Sequence, residues 1–126
     1  MPSLADDKEA IRENLARYIA VADLGGPAAE EWAAFFTDDA EFRQQGADAV
    51  VGRDALVEFG RTMPATGVRH MISDHVIEVD GDEATCVATV ALFIGGKFFG
   101  TGRASDELRR VDGRWRIASR SFAPDW

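Results

Sequence analysis

Apolar residues recur at Ile11, Leu15, Tyr18, Ile19 and Ala22. This three-and-four spacing puts side chains on one face of a helix. The stretch opens at Ser3 with Asp6, Asp7 and Glu9, acidic residues suited to a helix N-terminus, and stops at Asp23-Leu24-Gly25-Gly26. Pro27 starts a second predicted helix with Trp32, Phe35 and Phe36 on its buried face. Thr37-Asp38-Asp39 reads as a turn, Ala40 to Gln44 as a short strand and Ala49 to Val51 as another. Gly52-Arg53-Asp54 introduces a third helix lined by Leu56, Phe59 and Met63 and closed by Pro64.

From Arg69 the period changes from helical to alternating. Asp80-Gly81, Gly95-Gly96 and Asp112-Gly113 punctuate this half as hairpin turns. The pattern predicts an α+β fold, three N-terminal helices packed on a curved antiparallel four-strand meander.

Alternation also predicts which side chains share a face. With even turns throughout, Trp115, Ile117, Ser119 and Ser121 lie with Leu108, Asp106, Ala104, Gly102 and Gly100. The same count adds Phe93, Ala91, Thr89 and Val87, then Val76, Asp74, Ile72 and His70. A β-bulge reverses the parity wherever it occurs. The small residues on this face leave room for a cavity under the helices. The opposite face would carry Ile77, Val79, Cys86, Ala88, Val90, Leu92 and Ile94, too apolar for water, which predicts a homodimer through it. His75 falls on that outer face.

The 126 residues suit one domain, residues 1–126, around one core. A formal charge of −8 disfavours nucleic-acid binding and attraction to anionic membranes. Cys86 is the single cysteine, so neither an intrachain disulfide nor a cysteine metal cluster can form. No run of apolar residues approaches membrane-spanning length and no basic apolar leader opens the sequence, which makes the cytoplasm the expected location.

His70 stands on an otherwise apolar face, where an imidazole can exchange protons near neutral pH. Tyr18 offers a phenol from the helix stripe. Trp32, Phe36, Phe59, Met63 and Phe93 are core residues of which some line the cavity, and Ser119 neighbours Asp106 across strands. Arg43 and Arg103 are arginines able to anchor an anion, with surface pairing as their ordinary role. No metal-ligand spacing or phosphate-cradling glycine loop is present.

Asp23 before a glycine break, Trp32-x-x-x-Phe36-Thr37-Asp38-Asp39-Ala40, Gly52-Arg53, Arg69-His70, Val79-Asp80-Gly81-Asp82-x-Ala84 and Asp112-Gly113-Arg114-Trp115-Arg116-Ile117 follow in that order. In this the chain resembles the SnoaL-like branch of the nuclear-transport-factor-2-like superfamily over nearly its whole length. The resemblance implies a cone-shaped barrel, a homodimer and a pocket between helices and sheet. Relatives include scytalone dehydratase, polyketide cyclases, ketosteroid isomerase and limonene epoxide hydrolase, with many members that only bind ligands or have no known activity. Asp23 and His70 match an aspartate and a histidine that face the pocket in dehydratase-like members. Ala104 stands where an aromatic is common, which implies a roomier pocket.

Such a pair suits proton abstraction beside a carbonyl, with Asp23 either orienting the imidazole and stabilising its cation or acting directly as the base. The expected function is a cofactor-independent lyase, isomerase or cyclase acting on a small apolar carbonyl or hydroxy compound. The alternatives are a non-catalytic small-molecule-binding module of the same fold and an accessory subunit of an oxygenase-type complex.

Overall fold

The computed structural model describes residues 2–126. The first helix, α1 (Leu4–Ala22), begins at a capping box: the Ser3 hydroxyl accepts from the Asp6 N–H and the Asp6 carboxylate accepts from the Ser3 N–H, both at 3.1 Å. Its buried side is the Ile11, Leu15, Tyr18 and Ile19 stripe. Gly25 then takes φ +72°, and a Cβ there would collide with the Pro64 carbonyl. The adjoining Gly26 N–H donates to the Met63 carbonyl at 2.9 Å, so the end of α1 is tied to the end of the third helix.

A single 3-10 turn at Gly26–Ala28 leads into α2 (Ala29–Ala33). The second helix is therefore shorter than its apolar spacing suggests. Phe36 is not on it but opens β1 (Phe36–Gln44). Thr37-Asp38-Asp39 does not precede the strand as a turn but lies within it. The three residues form its irregular stretch, where pairing with the last strand jumps from Phe36↔Ile117 to Glu41↔Ser119. Their turn chemistry survives as a Thr37 to Asp39 side-chain hydrogen bond of 2.9 Å. Burial of Phe36, Ala40 and Phe42 on either side keeps the strand in the sheet. After β2 (Val50–Val51), α3 (Arg53–Arg61) packs Gly60 against Ala29 and Trp32 and buries Leu56 completely.

The remaining strands are β3 (Val68–Asp80), β4 (Glu83–Ile94), β5 (Lys97–Val111) and β6 (Arg114–Pro124). The two short strands expected around Ala40 and Ala49 join the four-strand meander in one six-stranded sheet, in the order β2-β1-β6-β5-β4-β3, with β1 parallel to β6 and every other pair antiparallel. All three helices cover one face. Ile11, Leu15, Trp32, Phe36, Leu56, Leu108 and Ile117 make the dry centre.

Three one-residue insertions decide which side chains enter that centre. Phe99 is extra on β5, because Leu92 pairs with Gly100 and Phe93 with Phe98. One residue is extra on β3 between Ser73 and Val76, where Asp74 adopts φ +56°. Ala118 is extra on β6, between Leu108↔Ile117 and Glu107↔Ser119. Each insertion exchanges the faces beyond it.

Simple alternation therefore fails in places. Ile77, Val79, Cys86, Ala88, Val90 and Leu92 belong to the helix-covered side, not to the outer face. Val87, Thr89, Ala91, Phe93 and Val76 turn outward instead. Ser119 and Ser121 exchange places with Arg120 and Phe122. His70 and Ile72 do lie inside, because the Phe99 and Asp74 bulges offset one another along the path to them.

The glycines of β5 are not empty space. The Phe122 ring lies over Gly102 and the Trp126 ring over Gly100, close enough that a Cβ would strike either ring. Gly102→Ala should therefore overpack this wall and lower stability by about 1–3 kcal/mol. Urea denaturation checks this, and an unchanged midpoint would mean that Phe122 moves aside freely.

Candidate functional site

Asp23 caps the C-terminus of α1, and His70 is the third residue of β3. The Asp23 carboxylate takes up the His70 backbone N–H through both oxygens, at 3.2 and 3.1 Å. The same carboxylate lies 2.6 Å from His70 Nδ1. Strand and ring are thus held by one side chain. With Nδ1–H donating to Asp23, the neutral imidazole keeps its lone pair on Nε2. The Asp23 side chain is only 11% exposed and that of His70 30%, so one member is sheltered while the other stays reachable.

A carboxylate at this end of a helix faces the negative pole of the helix dipole, and α1 has no basic residue in its last turn. Helix stability alone would favour a different residue. The hydrogen bonds to His70 offset the disadvantage, and the exposed Arg69 arm adds a looser contact at 3.7 Å.

His70 borders a cavity of about 290 Å³ between the helices and the inner sheet. Of the residues expected to line it, Tyr18, Trp32, Phe59 and Met63 do so. Phe36 is fully buried behind the wall, its ring 5.6 Å from Tyr18 and 5.0 Å from Trp32. Phe93 is turned out of the cavity by the Phe99 bulge and packs on Phe98 at 5.8 Å. Ala104 is fully buried between its strand partners Ala88 and Phe122 and does not reach the space. Ser119 faces away, into an open, charged groove on the far side of the sheet with Asp39, Glu41 and Arg43.

The most consequential cavity residue that alternation misses is Arg120. Neither Arg43, paired with Glu41 at 2.7 Å on the surface, nor exposed Arg103 takes this role. Arg120 is 4% exposed, donates to Asp106 at 2.8 Å and lies 4.8 Å from the Tyr18 ring centroid. A signal for it exists in the sequence. Alternation does place Asp106 inside, and a buried carboxylate requires a partner. The cross-strand neighbour of Asp106 is Arg120 rather than Ser119, because Ala118 is bulged out. Phe122, Val90 and Leu92 join the lining through shifted register, and Trp126 joins it beyond the end of β6.

Burial pushes the Tyr18 phenol up to about 12 against the opposing pull of Arg120, so the group stays a neutral hydrogen-bonding hydroxyl at physiological pH. Burial also raises the Asp106 carboxyl, with Arg120 acting in the other direction.

The second histidine is not on the outer face. The bulge at Asp74 turns His75 toward α1, with Nε2 covered and without a hydrogen-bond partner among the described residues. Burial, then the charge of Arg12, hold its pKa below the usual 6.5. Among the described residues, no three His, Cys, Asp or Glu side chains are grouped as a metal ion would require.

The chain matches the SnoaL-like domain family over residues 3–121 and belongs to it. No curated protein matches. Among solved structures, Rv3472 from Mycobacterium tuberculosis, a protein of unknown function, is 32% identical with a TM-score of 0.84, covering 98% of this chain and 76% of its own. An NTF2-like protein with a cystatin-like fold from Novosphingobium aromaticivorans is 27% identical with a TM-score of 0.82, covering 97% and 84%. A candidate scytalone dehydratase from the same organism is 22% identical with a TM-score of 0.83, covering 95% and 85%, a likeness of fold alone. The architecture is thus the NTF2-like cone, three helices on a curved sheet that is mostly antiparallel.

The environment of His75 has a consequence for stability. The unfolded chain protonates this group more readily than the native one, so stability rises with pH up to about 6.5 and is lost on acidification below it. His75→Gln should flatten the decline of the urea midpoint between about pH 7 and about pH 5. Parallel declines in both proteins would show that His75 titrates alike folded and unfolded.

Proposed function

We propose that this chain is a cofactor-independent lyase, isomerase or cyclase acting on a small, largely apolar carbonyl or hydroxy compound. The observation that carries the reading is the 2.6 Å Asp23–His70 pair at the edge of an apolar cavity. His70 Nε2 removes a proton from the carbon next to a carbonyl, and the C–H electron pair moves onto the carbonyl oxygen. Asp23 holds the ring and balances the charge of the imidazolium. Return of the proton to another carbon completes an isomerisation, and its delivery to a departing hydroxyl completes an elimination. The aromatic walls from Trp32, Phe42 and Phe59 suit a flat apolar substrate. A cytoplasmic location belongs to the same proposal. No helix among the described residues is long and apolar enough to cross a membrane.

The apolar walls also favour a second reading, a module that binds such compounds without turning them over. Carbon-bound hydrogen exchange separates the two. Small enolisable ketones and hydroxy compounds incubated in D2O should incorporate deuterium at the acidic carbon, followed by NMR. His70→Ala and His70→Gln should each slow this on the order of a hundred- to ten-thousand-fold with the fold intact. Asp23→Asn should slow it too, because an amide can present its NH2 to Nδ1 and favour the wrong tautomer. Full exchange in the His70→Gln variant would remove His70 as the base. Binding across the panel without exchange would leave the binding module.

We also propose that the chain forms a homodimer through the outer sheet face. The apolar groups there are not those that alternation predicts. Met71 and Val76 are 59% and 62% exposed, with Val87, Ala91 and Phe93 beside them on β4. Sedimentation at micromolar concentration should give twice the chain mass. A monomer would reject the proposal.

A further inference from the structure

Arg120 has donors that the protein leaves unused. A guanidinium carries five N–H groups. Among the described residues Arg120 uses one hydrogen bond, NH1 to Asp106 Oδ2 at 2.8 Å. Asp106 Oδ1 is itself buried and without a partner, so the pair is single-pronged where a two-pronged fork would satisfy both groups. A buried ion pair held only for stability gains most when every donor and acceptor is met. This one is not, and its unused N–H groups belong to a side chain that forms part of the cavity wall with His70.

The surroundings narrow what would meet them. The guanidinium lies against the face of the Tyr18 ring, which leaves its edge as the route to a ligand. Tyr18, also in the wall, contributes a hydroxyl. Apart from the Gln44 amide and His70, the remaining walls are apolar, so a fixed cation here favours one planar oxygen carrying negative charge on an apolar body.

We propose that Arg120 is the oxyanion-binding group of this cavity, receiving the enolate or phenolate oxygen of a flat apolar substrate. The inference rests on the proposed role of His70 for its place in the reaction. When Nε2 takes the proton and the electron pair reaches the carbonyl oxygen, the charge forms where Arg120 donates. The substrate class is thereby restricted to compounds whose carbonyl becomes an enolate or phenolate on losing a proton.

The probe is 4-nitrophenol, which ionises near neutral pH and whose phenolate is read by its absorbance, with nitrobenzene as the neutral control. The intact chain should bind the phenolate about tenfold more tightly than the phenol, which lowers the pKa of the bound probe by about one unit. Arg120→Gln combined with Asp106→Asn leaves the net charge unchanged and replaces the ion pair with an amide pair. That variant, checked for folding by circular dichroism, should bind both forms equally. Arg120→Lys, should the double variant not fold, should retain part of the preference, because it keeps the charge and loses the fork. His70→Gln should keep the whole preference, which separates Arg120 from a protonated imidazole.

Equal or weaker binding of phenolate by the intact chain overturns the proposal. So does failure to bind the probe at all, or an unchanged preference in the double variant, or in Arg120→Lys where that replaces it. If His70→Gln exchanges carbon-bound hydrogen at the full rate while the phenolate preference stands, the proton-transfer reading fails and the oxyanion site survives it.

Discussion

The face that a strand side chain occupies is fixed by counting from the nearest irregularity, and among the antiparallel strands β3 to β6 the irregularities are single inserted residues. The extra residue on β3 near Asp74, together with Phe99 on β5 and Ala118 on β6, sets what meets the helices. Without the Ala118 bulge, Ser119 would stand over the core and Arg120 would be in water. Without the bulge at Asp74, His70 would leave the cavity and its contact with Asp23. Core and site therefore depend on the same three insertions. The strained Asp74 conformation at φ +56° marks one place where the fold accepts a local penalty to maintain that arrangement.

The helical layer is positioned for the same site. Gly25 and Gly26 bring the end of α1 against the last residues of α3, and Asp23 stands behind His70 without itself lining the cavity. Its carboxylate then closes the gap to β3 through three contacts with one residue. Helix, strand and imidazole are joined there, so loss of Asp23 affects local packing as well as proton chemistry. The charges inside are arranged in two layers. Asp23 stands behind His70, and Asp106 stands behind Arg120. In each case a carboxylate supports a nitrogen base or cation at the cavity wall. Between them the lining is aromatic, with Tyr18 kept protonated by its burial.

Much of the fold is legible in the sequence. The α1 stripe, the glycine break, the third helix and the three hairpin dipeptides depend on local periodicity and on turn chemistry, which a few neighbouring residues specify. Asp23 and His70 were also accessible as a pair, through their place in the SnoaL-like pattern. For His70, alternation gives the inner face, but only because two uncounted bulges offset one another. The spacing of Phe36 from Trp32 is helical and predicts a helix there, whereas its strand partner, Ile117, lies at the other end of the chain.

Element order, turn positions and the identity of the groups able to do chemistry follow from local patterning along the chain. Tertiary structure alone decided that β1 joins β6 in parallel, that Arg120 rather than Ser119 enters the cavity, and that Phe122 and Trp126 fill the space over two glycines. The reason is the range of the interactions. Helix caps and hairpin turns are settled within a few residues, where composition is informative. A bulge is settled by competition between two strands over which side chains to bury, and its single extra residue leaves no local mark at Phe99 or Ala118.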